Sequence, residues 1–362
     1  MNALTLNPSL TVHSENPFNA ESSPAILCET FITPEEHFFI RTHGSIPEID
    51  SEQYKLRVTG MVQRPLDLPL NKILNDFPRR TITATVQCAG NRRAEFSRIA
   101  EIHGEINWDA GAIGNARWTG ALLSEILKAA GTDSEATQVS FAGMDAIEHL
   151  GPNSRFGASI PISKAMGEEV ILAYGMNEKP LSPMHGFPLR AIVPGYIGAR
   201  SVKWLGEIAV EAQPSTNYFQ SRAYKIFPPD VRAETADWTT GLSLGHFPVS
   251  AVITRPLEGA KIRSGPFVFQ GYAIAGGRSI ERVDLSFDNG ETWSVAELLG
   301  APDPWTWRFW RREINLAPGN FHLSIRAWDS AAQTQPENPK RIWNFRGYVN
   351  NAWHRVNFSV HS

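Results

Sequence analysis

The sequence predicts an α+β domain followed by an all-β, immunoglobulin-like sandwich. Three observations carry that reading. From about residue 30 to 230, short alternating segments mix with short amphipathic ones. After about residue 232, helical periodicity nearly vanishes. Eight of the eleven tryptophans fall in that last third. A length of 362 residues suits two domains, or one large domain with an attachment. The pattern divides into an extended N-terminal arm over 1–27, a first domain over 28–232 and a second over 233–362.

The elements follow in order. The first 25 or so residues are polar and lack periodicity, which predicts the arm. "YKLRVTGMV" alternates as a strand, and "PLNKILNDF" has helical spacing. In "TITATVQC", Ile82, Ala84, Val86 and Cys88 share one face and Thr81, Thr83, Thr85 and Gln87 the other. The strand reading therefore puts the thiol on the apolar face, and Gly90 just beyond predicts a sharp turn. "TGALLSEILKAAG" reads as a helix closing on Gly131, and "PLRAIVPG" and "SVKWLGEIAVEA" as strands. In the last third, "RVDLSFDNGETWSVAEL" has two alternating segments around Asp-Asn-Gly, a hairpin signal, and "NFHLSIRAWDS" alternates in the same way.

Composition narrows the chemistry. At 42% hydrophobic and 20% charged, the chain can bury real cores, and a net charge of −3 gives no case for nucleic acid or an anionic membrane surface. No apolar run is long enough to span a bilayer. The start, "MNALTLNPSLTVHSENPFNAESS", lacks a basic segment followed by an apolar one. The expected setting is the cytoplasm or another soluble compartment, and the periplasm stays open for a processed chain. Two cysteines, Cys28 and Cys88, are too few for an iron–sulfur cluster within one chain, and there is no C-x-x-C-H for covalent haem. Redox chemistry here needs a cofactor with few protein bonds. At Cys88 two readings compete: a buried structural thiol, or a thiolate held for a ligand beside positive charge.

Four stretches in order, "QCAGNRR", "INWDAGAIGNARWTG", "HGFPLRAIVPGYIGARSVKWL" and "IWNFRGYVNNAWHRV", together resemble the sulfite oxidase family of molybdenum enzymes. The resemblance runs from about "PEEHFFIRTHG" to the C-terminus. It implies an α+β domain holding one molybdopterin–molybdenum cofactor per chain, and an immunoglobulin-like domain that mediates homodimerisation. Thiolate is the softest donor a protein offers molybdenum, and the family's protein-to-metal bond corresponds to Cys88. The resemblance further implies an oxyanion pocket of Arg41, Arg93 and Arg346, since guanidinium supplies fixed planar donors. Tyr224 corresponds to the active-site tyrosine and Trp108 to a pocket wall. Phe39, Ile40, Arg41, Thr42, His43, Asp145, His185, Arg190, Ser201, Val202 and Lys203 match cofactor-binding positions, and Gly195 and Gly198 would let the backbone approach the cofactor.

Three positions depart from the family pattern. Ala223 stands before Tyr224 where Asp is usual, and Thr42 stands where Asn is usual. His103 lies near a position that is usually Lys or Arg, with one extra residue before Trp108; a titrating side chain there would alter the charge around the oxyanion. The implied activity is oxidation of sulfite to sulfate. With no haem-binding domain ahead of the first domain, electrons would pass to an outside acceptor, oxygen or a c-type cytochrome. The alternatives are an assimilatory nitrate reductase core, a sulfoxide reductase, and a binding or scaffold protein without metal chemistry.

Overall fold

A computed structural model describes residues 10–362. Two five-stranded sheets build the first domain. In one, Arg79–Gln87 pairs antiparallel with Ile113–Leu122, which pairs with Ile171–Met176; Lys179–Pro180 and Arg190–Ile192 add to the latter. The other runs Leu66–Pro69, Lys55–Gly60, Leu205–Glu211, Gln138–Gly143, Gly157–Pro161. The helix Leu123–Ala130 buries Leu123, Ile126, Leu127 and Ala130, an i, i+3, i+4, i+7 stripe, and ends where Gly131 turns left-handed at φ 72°. Its predicted first turn, Thr119 to Leu122, belongs instead to the preceding strand. Register pairing with Ile171–Met176 outweighs the local helical spacing there.

The second domain is a sandwich of a four-stranded and a five-stranded sheet, as the alternation requires. Its Asp-Asn-Gly segment is not a two-residue hairpin. Strand Ile280–Ser286 meets Ser294–Val295 only at Asp284–Val295 and Leu285–Ser294, and Asp288 closes the longer loop by accepting from the Thr292 N–H at 2.9 Å.

The segment expected to be an extended arm is, over its described residues, a β-hairpin, Leu10–Glu15 with Phe18–Ser22. Its second strand is buried from Asn19 to Ser22. Glu21 accepts from the Asp109 and Gly111 N–H groups at 2.8 and 3.0 Å, so a polar sequence is interior because it completes another segment's hydrogen bonds. Val252, Tyr272, Ile274, Trp307 and Tyr348 of the second domain share one hydrophobic cluster with the first domain's Phe141, Leu172 and Ile197. Gly195, at φ 82°, belongs to this junction: a Cβ there would stand 2.8 Å from the Gly277 nitrogen, so its glycine makes room for the second domain, not for a ligand. Among the described residues no helix is long and apolar enough to cross a membrane.

Candidate active site

Cys88 leaves the end of strand Arg79–Gln87 with its N–H donating to the Ala112 carbonyl at 2.9 Å, and its Sγ accepts the Gly90 N–H at 3.4 Å. It is only 7% exposed and packs with Ala84 and Val86, as the alternation predicts. Burial pushes the thiol up, while Arg93 and Arg41 oppose that shift by stabilising the thiolate. The turn itself differs from expectation. Arg92, not Gly90, takes the left-handed conformation, at φ 66°. Arg92 is held there by a paired bond to Glu95, at 2.6 and 2.7 Å, and by donation to the Ala352 carbonyl at 2.9 Å. Gly90 is needed for space: a Cβ there would stand 2.5 to 2.6 Å from the guanidinium atoms of Arg93.

Cys88 opens on a pocket whose empty space, open mouth included, is about 690 Å³. Phe39, Arg41, Thr42, His43, Asp145, His185, Arg190, Ser201, Lys203 and Tyr224 also line it, as does Gly198. The sequence reading missed the flat walls, Phe38, Phe156 and Trp204; single aromatics in mixed segments carry no signal separable from core packing. Ile40 and Val202 are buried beside the pocket without lining it. Their carbonyls serve the scaffold, accepting from the N–H groups of Ala20 at 3.0 Å and Ala191 at 2.9 Å.

The pocket's floor is cationic and buried. Burial lowers Arg190 to about 9. It also lowers Lys203 well below its ordinary value, with Arg190 adding repulsion and Asp145 offering partial relief. Burial, with Lys203 and Arg190, depresses His185 to about 3, and burial raises Asp145. Arg190 gives two bonds to the His185 and Ser201 carbonyls, at 2.9 and 3.1 Å, but its buried Nε has no partner. A buried guanidinium and ammonium facing one raised carboxyl call for an anion. Among the described residues no three His, Cys, Asp or Glu side chains converge on a metal site. Cys88 would thus give a metal a single protein bond, and a cofactor must bring the other donors. Flat walls, a cationic floor and one thiol fit a molybdopterin group.

On the other side, Tyr224 Oη lies 3.0 Å from His43 Nε2, and His43 stacks on Phe156 with centroids 4.8 Å apart. Burial and then Arg41 hold His43 well below the usual range, and burial raises the Tyr224 phenol. The hairpin braces this edge, with Asn19 Oδ1 accepting from the Thr42 N–H at 2.9 Å and from Arg41 at 3.1 Å. The Thr42 hydroxyl donates to the Phe18 carbonyl at 2.8 Å, away from any ligand. Ala223 sits in a π-helical turn, Phe219–Ala223, that delivers Tyr224.

The remaining expected residues divide. Arg93 and Arg346 come together although they lie in different domains: Arg93 Nε donates to the Arg346 carbonyl at 3.0 Å. Trp108 does not reach the pocket wall. It is wholly buried, edge-on to His13 at 4.9 Å, and packs the hairpin. His103 is out of place for a pocket residue: its side chain is 79% exposed on a turn, 3.3 Å from Glu101. Two groups went unnoticed in the sequence. Glu105 reaches both Arg93 and Arg346, and Tyr348 stacks on Tyr224 with centroids 5.3 Å apart and planes at 19°. Tyr348 lies two residues after Arg346 in "IWNFRGYVNNAWHRV" and Glu105 just ahead of "INWDAG", but neither stretch singles the residue out.

Comparison with known proteins agrees with this geometry. The family described as oxidoreductase molybdopterin binding domain matches residues 43–219, and the Mo-co oxidoreductase dimerisation domain matches 243–361. The chain is 43% identical to the mitochondrial sulfite oxidase of Homo sapiens over 98% of its own length, and spans 66% of that relative, about two thirds. It is 40% identical to the sulfite oxidase of Arabidopsis thaliana, covering 97% of this chain and 94% of that one. The crystal structure of the sulfane dehydrogenase SoxCD from Paracoccus pantotrophus superposes with a TM-score of 0.81 at 27% identity, over 100% of this chain and 90% of that chain. With a relative matched almost end to end and both domains in place, the chain belongs to the sulfite oxidase family of molybdopterin oxidoreductases.

Proposed function

We propose that the chain oxidises sulfite to sulfate, SO₃²⁻ + H₂O → SO₄²⁻ + 2H⁺ + 2e⁻, and passes the electrons to an external acceptor, oxygen or a c-type cytochrome. The observation that carries this is the placement of one buried thiol, Cys88, on the wall of a cationic pocket and within the influence of Arg93 and Arg41. Cys88 is the thiolate that would bind molybdenum. Arg190, Lys203, His185, Ser201 and Asp145 would hold the pterin and its phosphate. When bound, the cofactor supplies oxygen-atom transfer and the two-electron redox step.

This chain's own residues bind and orient the anion. Arg41, Arg93 and Arg346 attract it and fix its oxygens by charge-assisted bonds. Burial keeps the Tyr224 phenol protonated, so it can donate to an anion oxygen when His43 Nε2 carries its own proton and donates to Tyr224 Oη. Neutral His43 adds no second charge to that edge. Low exposure of Cys88, Tyr224 and Tyr348 excludes water and strengthens each of these contacts. A homodimer formed through the second domain is part of this reading.

The test is a molybdenum-to-protein ratio on the purified holoenzyme, followed by sulfite-dependent reduction of oxygen and of cytochrome c in parallel. About one metal per chain with sulfite turnover supports the proposal. A metal-loaded protein that reduces nitrate and leaves sulfite untouched would replace it with the nitrate reductase reading, and a metal-free protein with the scaffold reading.

A further inference from the structure

We propose that Glu105 lowers the charge of the oxyanion subsite and so weakens its hold on doubly charged anions more than on singly charged ones, which lets sulfate, the dianionic product, leave more readily. The inference rests on the sulfite reading above. The Glu105 carboxylate is 8% exposed and bridges two guanidinium groups from different domains, with Arg93 Nη2 at 3.3 Å and Arg346 Nη2 at 2.7 Å. Arg93 is otherwise committed to the protein, donating Nε to the Arg346 carbonyl at 3.0 Å and Nη1 to the Ile106 carbonyl at 2.6 Å. Arg346 keeps a buried Nε without a partner. Both guanidinium groups stand over the Tyr348 ring, at 5.2 and 5.7 Å, and Tyr348 stacks on Tyr224. The pair is thus one ring away from the tyrosine at the pocket wall. The Glu105 charge is also felt at the Cys88 thiol and at the Tyr224 phenol.

The two arginines and one carboxylate sum to a single positive charge. An anion entering between Arg93 and Arg346 meets the carboxylate that already uses their donors. Repulsion scales with the product of charges, so a dianion loses twice what a monoanion loses. At a separation of about 10 Å and an effective dielectric of about 20, that is roughly tenfold in affinity per unit of anion charge. Glu105 is therefore a positioning and specificity-determining residue. It holds Arg93 and Arg346 against each other and limits how tightly they can grip an ion.

Equilibrium binding of sulfate and nitrate to the molybdenum-loaded holoenzyme tests this, with Glu105→Gln and Glu105→Asp beside the wild type. The glutamine is isosteric and keeps an acceptor oxygen, while the aspartate keeps the charge. Glu105→Gln should tighten sulfate by about tenfold more than nitrate, with kcat falling alongside the KM for sulfite as product release slows. Glu105→Asp should keep the wild-type ratio of affinities. Strong product inhibition of the wild type by sulfate, at concentrations near the KM for sulfite, overturns the proposal whether or not the variants fold. So does an equal shift of the ratio in the Gln and Asp variants, which would trace it to geometry. Wild-type protein that fails to oxidise sulfite sinks the activity proposed above and leaves this result to be judged on the binding data.

Discussion

At the residue scale, the site turns on which atoms remain free for a ligand. Cys88 is the pocket's soft donor, and replacing its sulfur with oxygen exchanges a soft ligand for a harder one. Cys88→Ser should therefore abolish sulfite turnover with little change in thermal unfolding. Turnover near the wild-type rate in a metal-loaded variant would refute the metal-ligand role. Cys28 makes a fair control: burial pushes its thiol up to about 12, and it lies away from the pocket. Arg93→Gln should raise the KM for sulfite by about ten- to a hundredfold, the equivalent of a lost charge-assisted bond of roughly 1.5–3 kcal/mol. Uncharged oxygen-atom acceptors assayed in the reverse direction should be affected much less. Equal losses for charged and neutral substrates would mean that Arg93 supports the cofactor and not the anion.

At the element scale, the N-terminal hairpin is a structural part of the site. Its sequence looked like an arm because nothing in a polar segment reveals that another segment's backbone needs its carboxylate. Glu21 serves two buried N–H groups of the loop that leads from Trp108 into strand Ile113–Leu122. Glu21→Ala should cost on the order of 1–3 kcal/mol, the penalty for stranded buried donors, measured as a lowered denaturant midpoint at unchanged slope. A change of under a few tenths of a kcal/mol would show that water replaces the carboxylate. The strand that ends at Cys88 was readable from period-two alternation alone, whereas the outward turn carrying His103 was not. The path of a turn into solvent leaves no periodic trace in the residues around it.

At the scale of the whole molecule, the second domain closes a sandwich and brings Arg346 and Tyr348 beside Arg93 and Tyr224. Strand Arg79–Gln87 reaches it directly, since the Thr85 N–H donates to the Trp305 carbonyl and the Trp307 N–H to Thr85 Oγ1, both at 2.9 Å. The tryptophans concentrated in the second domain are buried or half-buried. Trp307 and Trp310 are buried, and among the described residues no tryptophan is among the large exposed apolar side chains. Dimerisation is expected from the family of the second domain, and sedimentation at several concentrations should give twice the chain mass. A concentration-independent monomer mass would contradict it.

The domain junction also titrates. Burial, with Arg92 adding repulsion, depresses His354 to about 4, and its Nδ1 accepts the Ile253 N–H at 3.1 Å. The unfolded chain binds that proton at the ordinary histidine value, so the stability it contributes is present above about pH 6.5 and is lost as pH falls toward about 4. Across that window the folding constant should drop by up to about tenfold per pH unit from this group. His354→Asn should flatten the slope of stability against pH there, and an unchanged slope would show that other groups carry the acid sensitivity.

The sequence by itself determined the two-domain fold class, the position of the Cys88 thiol at a strand's end, and the motif residues that come to line one pocket. The first two depend on short-range pattern, period-two alternation with glycine and proline punctuation, and the third on the resemblance of four ordered stretches to a known family. Only the tertiary structure decided that Arg92 makes the turn while Gly90 makes room, that Trp108 packs the hairpin, and that His103 faces solvent. It also decided that Glu105 joins Arg93 to Arg346 across about 240 residues of intervening chain. Contacts of that kind depend on how two domains dock, and docking geometry leaves no periodic trace in either segment.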